Sequence, residues 1–381
     1  IMEDSIYLDY AATTPVHPDV LKAMLPFFTE HFGNSSSSTH QHGWYTKGAI
    51  KRARKQVAKA INCEESEIIF TSGGTEGINQ GIKGIFNLYH KKGNHIIVSK
   101  TEHKAVLDTI KSLEKKGADI TYLDVNSEGI ITKEAFESAI KPTTILAAVM
   151  WVNNETGVIQ NVKELSEIAF QNNVPFLCDG TQAVGKVEID MQDSKIGVLP
   201  ISAHKFYGPK GIGALYIRRK SPRITLESLI TGGNQENKLR AGTLNTPSVV
   251  GLGEAIEIAV ANLESNTKIL QDIKTQFKAL FVQFNAKFNE AESNTSQHVL
   301  NVCLPTIKAN NLLKHTRKIS YSLGSACTSE TLDPSHVLTA MGQSKEEAFS
   351  SFRLSFSPTI TQKEIDTALN TFSVAMTSLL D

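Results

Sequence analysis

Short apolar runs alternate with helix-period segments through the first two-thirds of the chain, and that alternation constrains the fold more than any single motif. Glu67 to Thr71, His95 to Ser99, Ile120 to Leu123, Thr144 to Val152, Val174 to Cys178, Lys195 to Ser202 and Gly213 to Ile217 read as strands. Val20 to Phe32, kinked at Pro26, and Tyr45 to Ile61 read as helices ahead of them, and a helical pattern follows Ser72-Gly73-Gly74-Thr75-Glu76 as far as Tyr89. Glu102-His103-Lys104 opens another. Strands spaced by helices form βαβ units, and strands covered on both faces read as unbroken apolar runs. The expected fold is α/β, built on a buried, mostly parallel sheet.

Near Pro247 the texture changes. From Val249 to about Phe288 the chain is helix-like and nearly free of Gly and Pro, as a connector between domains would be. After it come the apolar run Val299 to Leu304, a Ser/Gly-rich segment around Ser322 to Ser329, and a helical tail from Gln362 to Leu380. At about 150 residues per domain, 381 residues make two domains or three. The reading is a large α/β domain followed by a smaller α/β domain.

Thirty-nine basic residues balance thirty-nine acidic ones, which argues against a nucleic-acid or membrane-surface footprint. The longest apolar run, Ile145 to Val152, is far short of the ~20 residues of a membrane helix. No basic-then-apolar leader opens the chain, and Ile1 ahead of Met2 reads as an added residue. Cys63, Cys178, Cys303 and Cys327 stand far apart with no CxxC pair, against a disulfide framework or a structural zinc site. A cytoplasmic, reducing setting and no metal are expected.

Four segments carry candidate chemistry. Gly73-Gly74-Thr75-Glu76 joins a strand to a helix, where glycines admit an anion and free N–H groups receive it; the same residues also read as a plain helix start with Thr75 as N-cap. Asp179 follows an apolar strand, at the carboxyl end where ligands bind in open α/β sheets. Buried there it needs a cationic partner such as a protonated ring nitrogen, or else it caps a following helix. In Ser202-Ala203-His204-Lys205-Phe206-Tyr207-Gly208-Pro209-Lys210-Gly211 a serine, a histidine and a lysine crowd one strand-to-loop junction. A Schiff-base lysine, a carboxylate for a pyridinium nitrogen and a helix-end phosphate site are the three anchors of pyridoxal phosphate (PLP). Cys327 in Gly324-Ser325-Ala326-Cys327-Thr328-Ser329 lies among small polar residues, as an accessible nucleophile or an ordinary loop cysteine.

With these residues in place the chain resembles the cysteine desulfurases of the NifS/IscS type, PLP enzymes of the class V aminotransferase group. The resemblance runs from Tyr7-Leu8-Asp9-Tyr10-Ala11-Ala12-Thr13-Thr14 to Arg353-Leu354-Ser355. It passes through Phe70 to Glu76, Thr101-Glu102-His103, Val152 to Gly157, Asp179 to Ala183, Ser202 to Gly213 and Arg240-Ala241-Gly242-Thr243. Gly324 to Cys327 with Pro334-Ser335-His336 is similar to the subgroup with an extended cysteine loop.

The resemblance implies a PLP-dependent transferase fold, aspartate-aminotransferase-like, with a large domain at 14–255. Segments 1–13 and 256–381 would form the small domain and carry the cysteine loop at about 322–336. Lys205 would hold PLP and later move the Cα proton; Asp179 would keep the pyridine nitrogen protonated; Gln182 would bond the phenolic oxygen; His103 would stack on the ring. Thr75, Gly74, Ser202 and His204 would bind the phosphate, which Thr243 would reach from the neighbouring subunit of a homodimer. Arg353 would pair with the substrate carboxylate and Asn154 would orient substrate and cofactor.

The implied reaction converts L-cysteine to L-alanine. Cys327 takes the sulfur as a persulfide, and His103 accepts a proton from the incoming thiol. The sulfur would pass to an iron–sulfur scaffold, a tRNA-thiolating enzyme or a biosynthetic enzyme. Selenocysteine lysis and transamination are the alternative reactions on such a scaffold, and a PLP-retaining regulator is the non-enzymatic one. Lys205, Cys327 and Arg353 are all present, as desulfuration requires. Ser35 stands where Pro is common, Asp179 is followed by Gly180 rather than a larger residue, and Arg240-Ala241 has Ala for a frequent Ser. Ser357-Pro358 replaces a Gly-Arg of some members, and Gly232-Gly233-Asn234-Gln235-Glu236 lacks a third glycine.

Overall fold

The structure, a computed structural model, describes residues 5–323 and 333–380. Its strands are β1 (Ile6–Tyr7), β2 (Ile68–Thr71), β3 (His95–Ser99), β4 (Asp119–Leu123), β5 (Thr144–Ala148), β6 (Phe176–Leu177), β7 (Val198–Ser202), β8 (Gly213–Ile217), β9 (Lys287–Phe288), β10 (Val299–Cys303), β11 (Ile319–Ser320), β12 (Ser322–Leu323) and β13 (Ser351–Ser355). Seven of them form the large sheet, in the order β2-β8-β7-β6-β5-β3-β4. It is parallel except at β8, which runs antiparallel to both β7 and β2. The connection 203–212, with only a short 3-10 turn at Ala203–Lys205, joins β7 to β8, too short for the helical crossover a parallel pair would need.

Strands β2, β3, β5, β7 and β8 of the large sheet are buried throughout, as their unbroken apolar sequences require, whereas edge strand β4 is largely half-buried. Helix Gly74–Tyr89 lies directly on the sheet because its inward face is glycine. A Cβ on Gly74 would stand 2.7 Å from Thr181, and one on Gly81 would stand 2.6 Å from Leu177. Any larger residue would lift the helix, and its N-terminus with it, off the carboxyl ends of β6 and β7.

A second core gathers Ile6, Leu8, Phe277, Phe281, Leu300, Phe352 and Phe372 around β10 and β13, away from the clusters that sandwich the large sheet. In this smaller sheet, of order β12-β13-β10-β9, Arg353 of β13 pairs with Asn301 on one side and Ser322 on the other.

Three expectations are corrected. The helix from Val20 to Phe32 is two pieces, Pro18–Met24 and Pro26–Thr29, because Pro26 has no N–H to continue the first. The long tract from Val249 to Phe288 is two helices, Thr246–Ala261 and Leu263–Val282, meeting at Asn262. The Asn262 side chain donates to the Ile258 carbonyl at 2.9 Å and competes with the helical bond. Lys287–Phe288, expected inside that tract, instead pairs with Val302 and Cys303 as an edge strand. Cys327 and most of the cysteine loop lie outside the described residues.

Candidate active site

A cavity of about 420 Å³ opens at the carboxyl ends of β5, β6 and β7, and Arg353 from the small sheet completes its wall. It brings together Gly74, Thr75, His103, Asn154, Asp179, Gln182, Ser202, His204, Lys205 and Arg353. Ten residues singled out from the sequence thus share one wall, though they span most of the chain. Thr243 does not line this cavity; it is exposed at the end of Arg240-Ala241-Gly242.

The N-cap of helix Gly74–Tyr89 is Gly73, not Thr75, and no side chain caps it. The first N–H groups therefore point out of the helix without an internal acceptor, beside the Thr75 hydroxyl. Glu76 in the first turn accepts the Ser72 N–H at 2.8 Å and the Arg240 guanidinium at 2.9 Å, so it steadies the turn from outside.

No helix follows Asp179; residues 181–186 are turns. Its Oδ1 accepts the Thr181 N–H at 3.0 Å, while Oδ2 is buried with no partner among the described residues. A carboxylate oxygen left so costs free energy unless a donor faces it. Gly180 follows because a Cβ there would stand 2.7 Å from Leu199.

Lys205 Nζ donates to the carbonyls of Ala11 and Ala12 at 2.8 and 2.7 Å. Burial first, then the Arg353 guanidinium, bring it down to about 8, so a free amine is accessible near neutral pH. Lys186 donates to the Lys205 carbonyl, and burial with the nearby Lys205 charge brings it down to about 7. Burial and the three lysines Lys205, Lys210 and Lys186 push His204 down to about 4, so it is a neutral ring, bonded through Nδ1 to Thr13 at 3.0 Å.

His103 caps helix Lys104–Glu114 by accepting the Ala105 N–H at Nδ1, 3.1 Å. Desolvation by the surrounding wall lowers its pKa, and with Nδ1 acting as acceptor the neutral ring carries its proton on Nε2. His103 thereby presents a hydrogen-bond donor at Nε2, and it accepts a proton only when Nδ1 releases the Ala105 N–H. Gln182 spends one amide hydrogen on the Ala11 carbonyl at 2.8 Å and meets His298 at 3.2 Å, which leaves one amide hydrogen for the cavity.

Arg353 donates to the Asn154 carbonyl at 2.7 Å, to Asp9 at 2.6 Å and to the Ser322 hydroxyl at 2.9 Å. Sequence reasoning missed Asp9, Ser322, Lys186, His298 and Glu102. Asp9 and Glu102 stand inside motifs that carried the resemblance, and an acid within an otherwise apolar or small-residue block was the available signal. Glu102 is fully buried; its Oε1 accepts the Met150 N–H at 2.6 Å and its Oε2 has no partner among the described residues. Burial pushes its pKa well above 4.5, so it is a neutral acid.

These residues fit pyridoxal phosphate. The orphaned Asp179 oxygen suits a protonated ring nitrogen, the uncapped helix start suits a phosphate, and Lys205 supplies the amine.

The profile of the Aminotransferase class-V family matches residues 6–368. Cysteine desulfurase IscS of Dechloromonas aromatica is 44% identical over 97% of this chain and 91% of its own length. The chain belongs to the class V aminotransferases, among the cysteine desulfurases. The Shewanella loihica cysteine desulfurase IscS is 45% identical over 99% of this chain and 94% of its own. Among solved structures, a NifS-like protein superposes with TM-score 0.92 at 32% identity, covering 98% of this chain and 100% of its own. A structure described as SspA in complex with cysteine gives 0.83 at 37% identity, over 93% and 99%. Members of this family are PLP-dependent, and the fold described above is shared with a NifS-like protein of solved structure.

Proposed function

We propose that the protein is a PLP-dependent cysteine desulfurase that converts L-cysteine to L-alanine and holds the released sulfur on Cys327 as a persulfide. The observation that carries the reading is the Asp179 oxygen, buried and without a donor, in the cavity that also holds Lys205 and an uncapped helix start. When bound, PLP supplies an electron sink that lets the substrate's Cα–H and Cβ–S bonds break. Thr75, Ser202, His204 and the N–H of Gly74 hold its phosphate, and Gln182 gives its spare amide hydrogen to the ring's oxygen. His103 covers the ring.

The chain's own groups do the rest. Arg353 and Asn154 seat the substrate carboxylate and so fix which Cα bond faces Lys205. Lys205, which titrates near pH 8 here, takes the Cα proton as general base. His103 takes the incoming thiol's proton at Nδ1, once that atom releases the Ala105 N–H, and the resulting imidazolium can return a proton to the carbon that loses sulfur. The Cys327 thiolate attacks the substrate sulfur, so the S–S bond of the persulfide forms as the Cβ–S bond breaks.

The sulfur then leaves on an acceptor protein, an iron–sulfur scaffold, a tRNA-thiolating enzyme or a biosynthetic enzyme. Unpaired Cys63, Cys178 and Cys303 suit the reducing cytoplasm, and among the described residues no helix is long and apolar enough to cross a membrane. The working form is a homodimer in which Thr243 serves the partner's phosphate site. Two observations support it: the exposed aromatic side chains of Phe28, Phe32, Trp44 and Tyr45, and the exposure of Thr243 outside its own chain's cavity.

Alanine formation from L-cysteine tests the reading. The purified protein loaded with PLP makes alanine, and Lys205→Ala makes none. A protein that takes up no PLP, or a Lys205→Ala variant of full activity, overturns it.

A further inference from the structure

Resting on the desulfurase reading, the donor inventory of Arg353 carries one step more. A guanidinium has five N–H groups, and a carboxylate grips it with two oxygens only across an adjacent pair of nitrogens. Both hydrogens of Nη2 are committed, one to Asp9 Oδ1 at 2.6 Å and one to Ser322 Oγ at 2.9 Å. Nη1 gives one hydrogen to the Asn154 carbonyl at 2.7 Å, and Nε is buried without a partner among the described residues. Only the second Nη1 hydrogen remains for a ligand in the cavity. Each two-point arrangement, Nη1 with Nη2 or Nε with Nη2, uses an Nη2 hydrogen. A substrate carboxylate therefore gains its second bond only when Asp9 or Ser322 gives way.

Asp9 is the partner suited to yield. It bears the same charge as the incoming group, so the two repel across a shared guanidinium, and its side chain is 20% exposed and can rehydrate on leaving. Ser322 sits in register with Arg353 across β12 and β13 and also donates its hydroxyl hydrogen to Asp9 Oδ1 at 2.9 Å. Departure of Asp9 leaves that hydroxyl free to turn toward the newcomer. We propose that Asp9 occupies the seat on Arg353 that a substrate carboxylate takes, and that this competition sets the affinity and the carboxylate selectivity of the site. Asp9 is in this sense an internal surrogate ligand, which a carboxylate can displace and a neutral amide cannot.

The test compares two sulfur-free ligands, L-alanine and L-alaninamide, titrated into the PLP-loaded protein and followed by the cofactor's absorption. In Asp9→Asn the affinity for L-alanine rises threefold or more, that for L-alaninamide does not, and the KM for L-cysteine falls in step. Asp9→Ser, smaller and uncharged, gives the same change in the alanine-to-alaninamide ratio should the asparagine variant fold poorly. A ratio unchanged in both variants, or a fall in alanine affinity, overturns the assignment, because a merely structural disturbance moves both ligands alike. If wild-type protein shows no absorption change with L-alanine and makes no alanine from L-cysteine, the desulfurase reading itself fails. A responsive wild type with an unchanged ratio removes only the role of Asp9.

Discussion

Asp179 and Glu102 are two buried carboxyls in one wall with opposite tasks. Asp179 keeps an oxygen in reserve for a cationic partner, whereas Glu102, pushed well above 4.5 by burial, keeps its proton. Because the folded state binds that proton more tightly than the unfolded chain, wild-type stability falls as pH rises above about 4.5. Glu102→Gln, neutral at every pH, escapes this loss, so its stability relative to wild type grows from pH 4.5 upward; urea unfolding at pH 4 and pH 7 measures the difference.

For Lys205 the sign runs the other way. The amine is needed unprotonated to capture the cofactor, so PLP uptake by cofactor-free protein quickens with pH around a midpoint near 8. Stopped-flow absorbance at several pH values reads this, and a midpoint near 10 contradicts it. Lys205, Asp179, Thr75 and His103 were legible because each stands in a short block of unusual company. Asp9 and Lys186 were not: Asp9 meets Arg353 across 344 positions and Lys186 meets Lys205 across 19, and only the fold supplies such neighbours.

The elements that build the phosphate cradle tolerate little. A Cβ on Gly213 would stand 2.3 Å from the Ile201 carbonyl oxygen and 2.8 Å from Gly73 Cα, so the β7–β8 return and the Gly73 turn press on each other directly. Gly213→Ala is expected to weaken PLP binding at least about tenfold, or about 1.4 kcal/mol, in an equilibrium titration. Residues Glu236, Asn237 and Lys238 take positive φ in succession without a glycine. The buried Glu236 carboxylate holds this turn, accepting two bonds from Arg54 at 2.8 and 2.6 Å and one from the Phe70 N–H at 2.6 Å.

Glu236→Ala strands the Arg54 charge and is expected to cost about 3–5 kcal/mol in chemical denaturation. The strands of the large sheet were legible from their apolar runs. The break at Asn262 and edge strand Lys287–Phe288 were not, because pairing with β10 decides the second and a side-chain bond the first.

At the scale of the whole molecule we propose the division into 14–255 and 1–13 with 256–381. Supporting it, the side chains around β10 and β13 pack apart from those around the large sheet, although Ile256 and Ala259 still pack with the latter. The active cavity lies where the two meet, with Lys205 from one side and Arg353 from the other. Thr243 stands exposed and does not line its own chain's cavity, and we propose that it serves the site of a second copy. Dilution below the dimer's dissociation constant is expected to lower PLP retention and activity together; full activity of a monomer by analytical ultracentrifugation contradicts the shared site.

The most direct test of sulfur transfer is mass spectrometry of the peptide containing Cys327 after the PLP-loaded protein meets L-cysteine. The account predicts one added sulfur on Cys327, removed by reductant and formed together with alanine. Alanine formation with Cys327 unmodified, or undiminished sulfide release by Cys327→Ala, would contradict it.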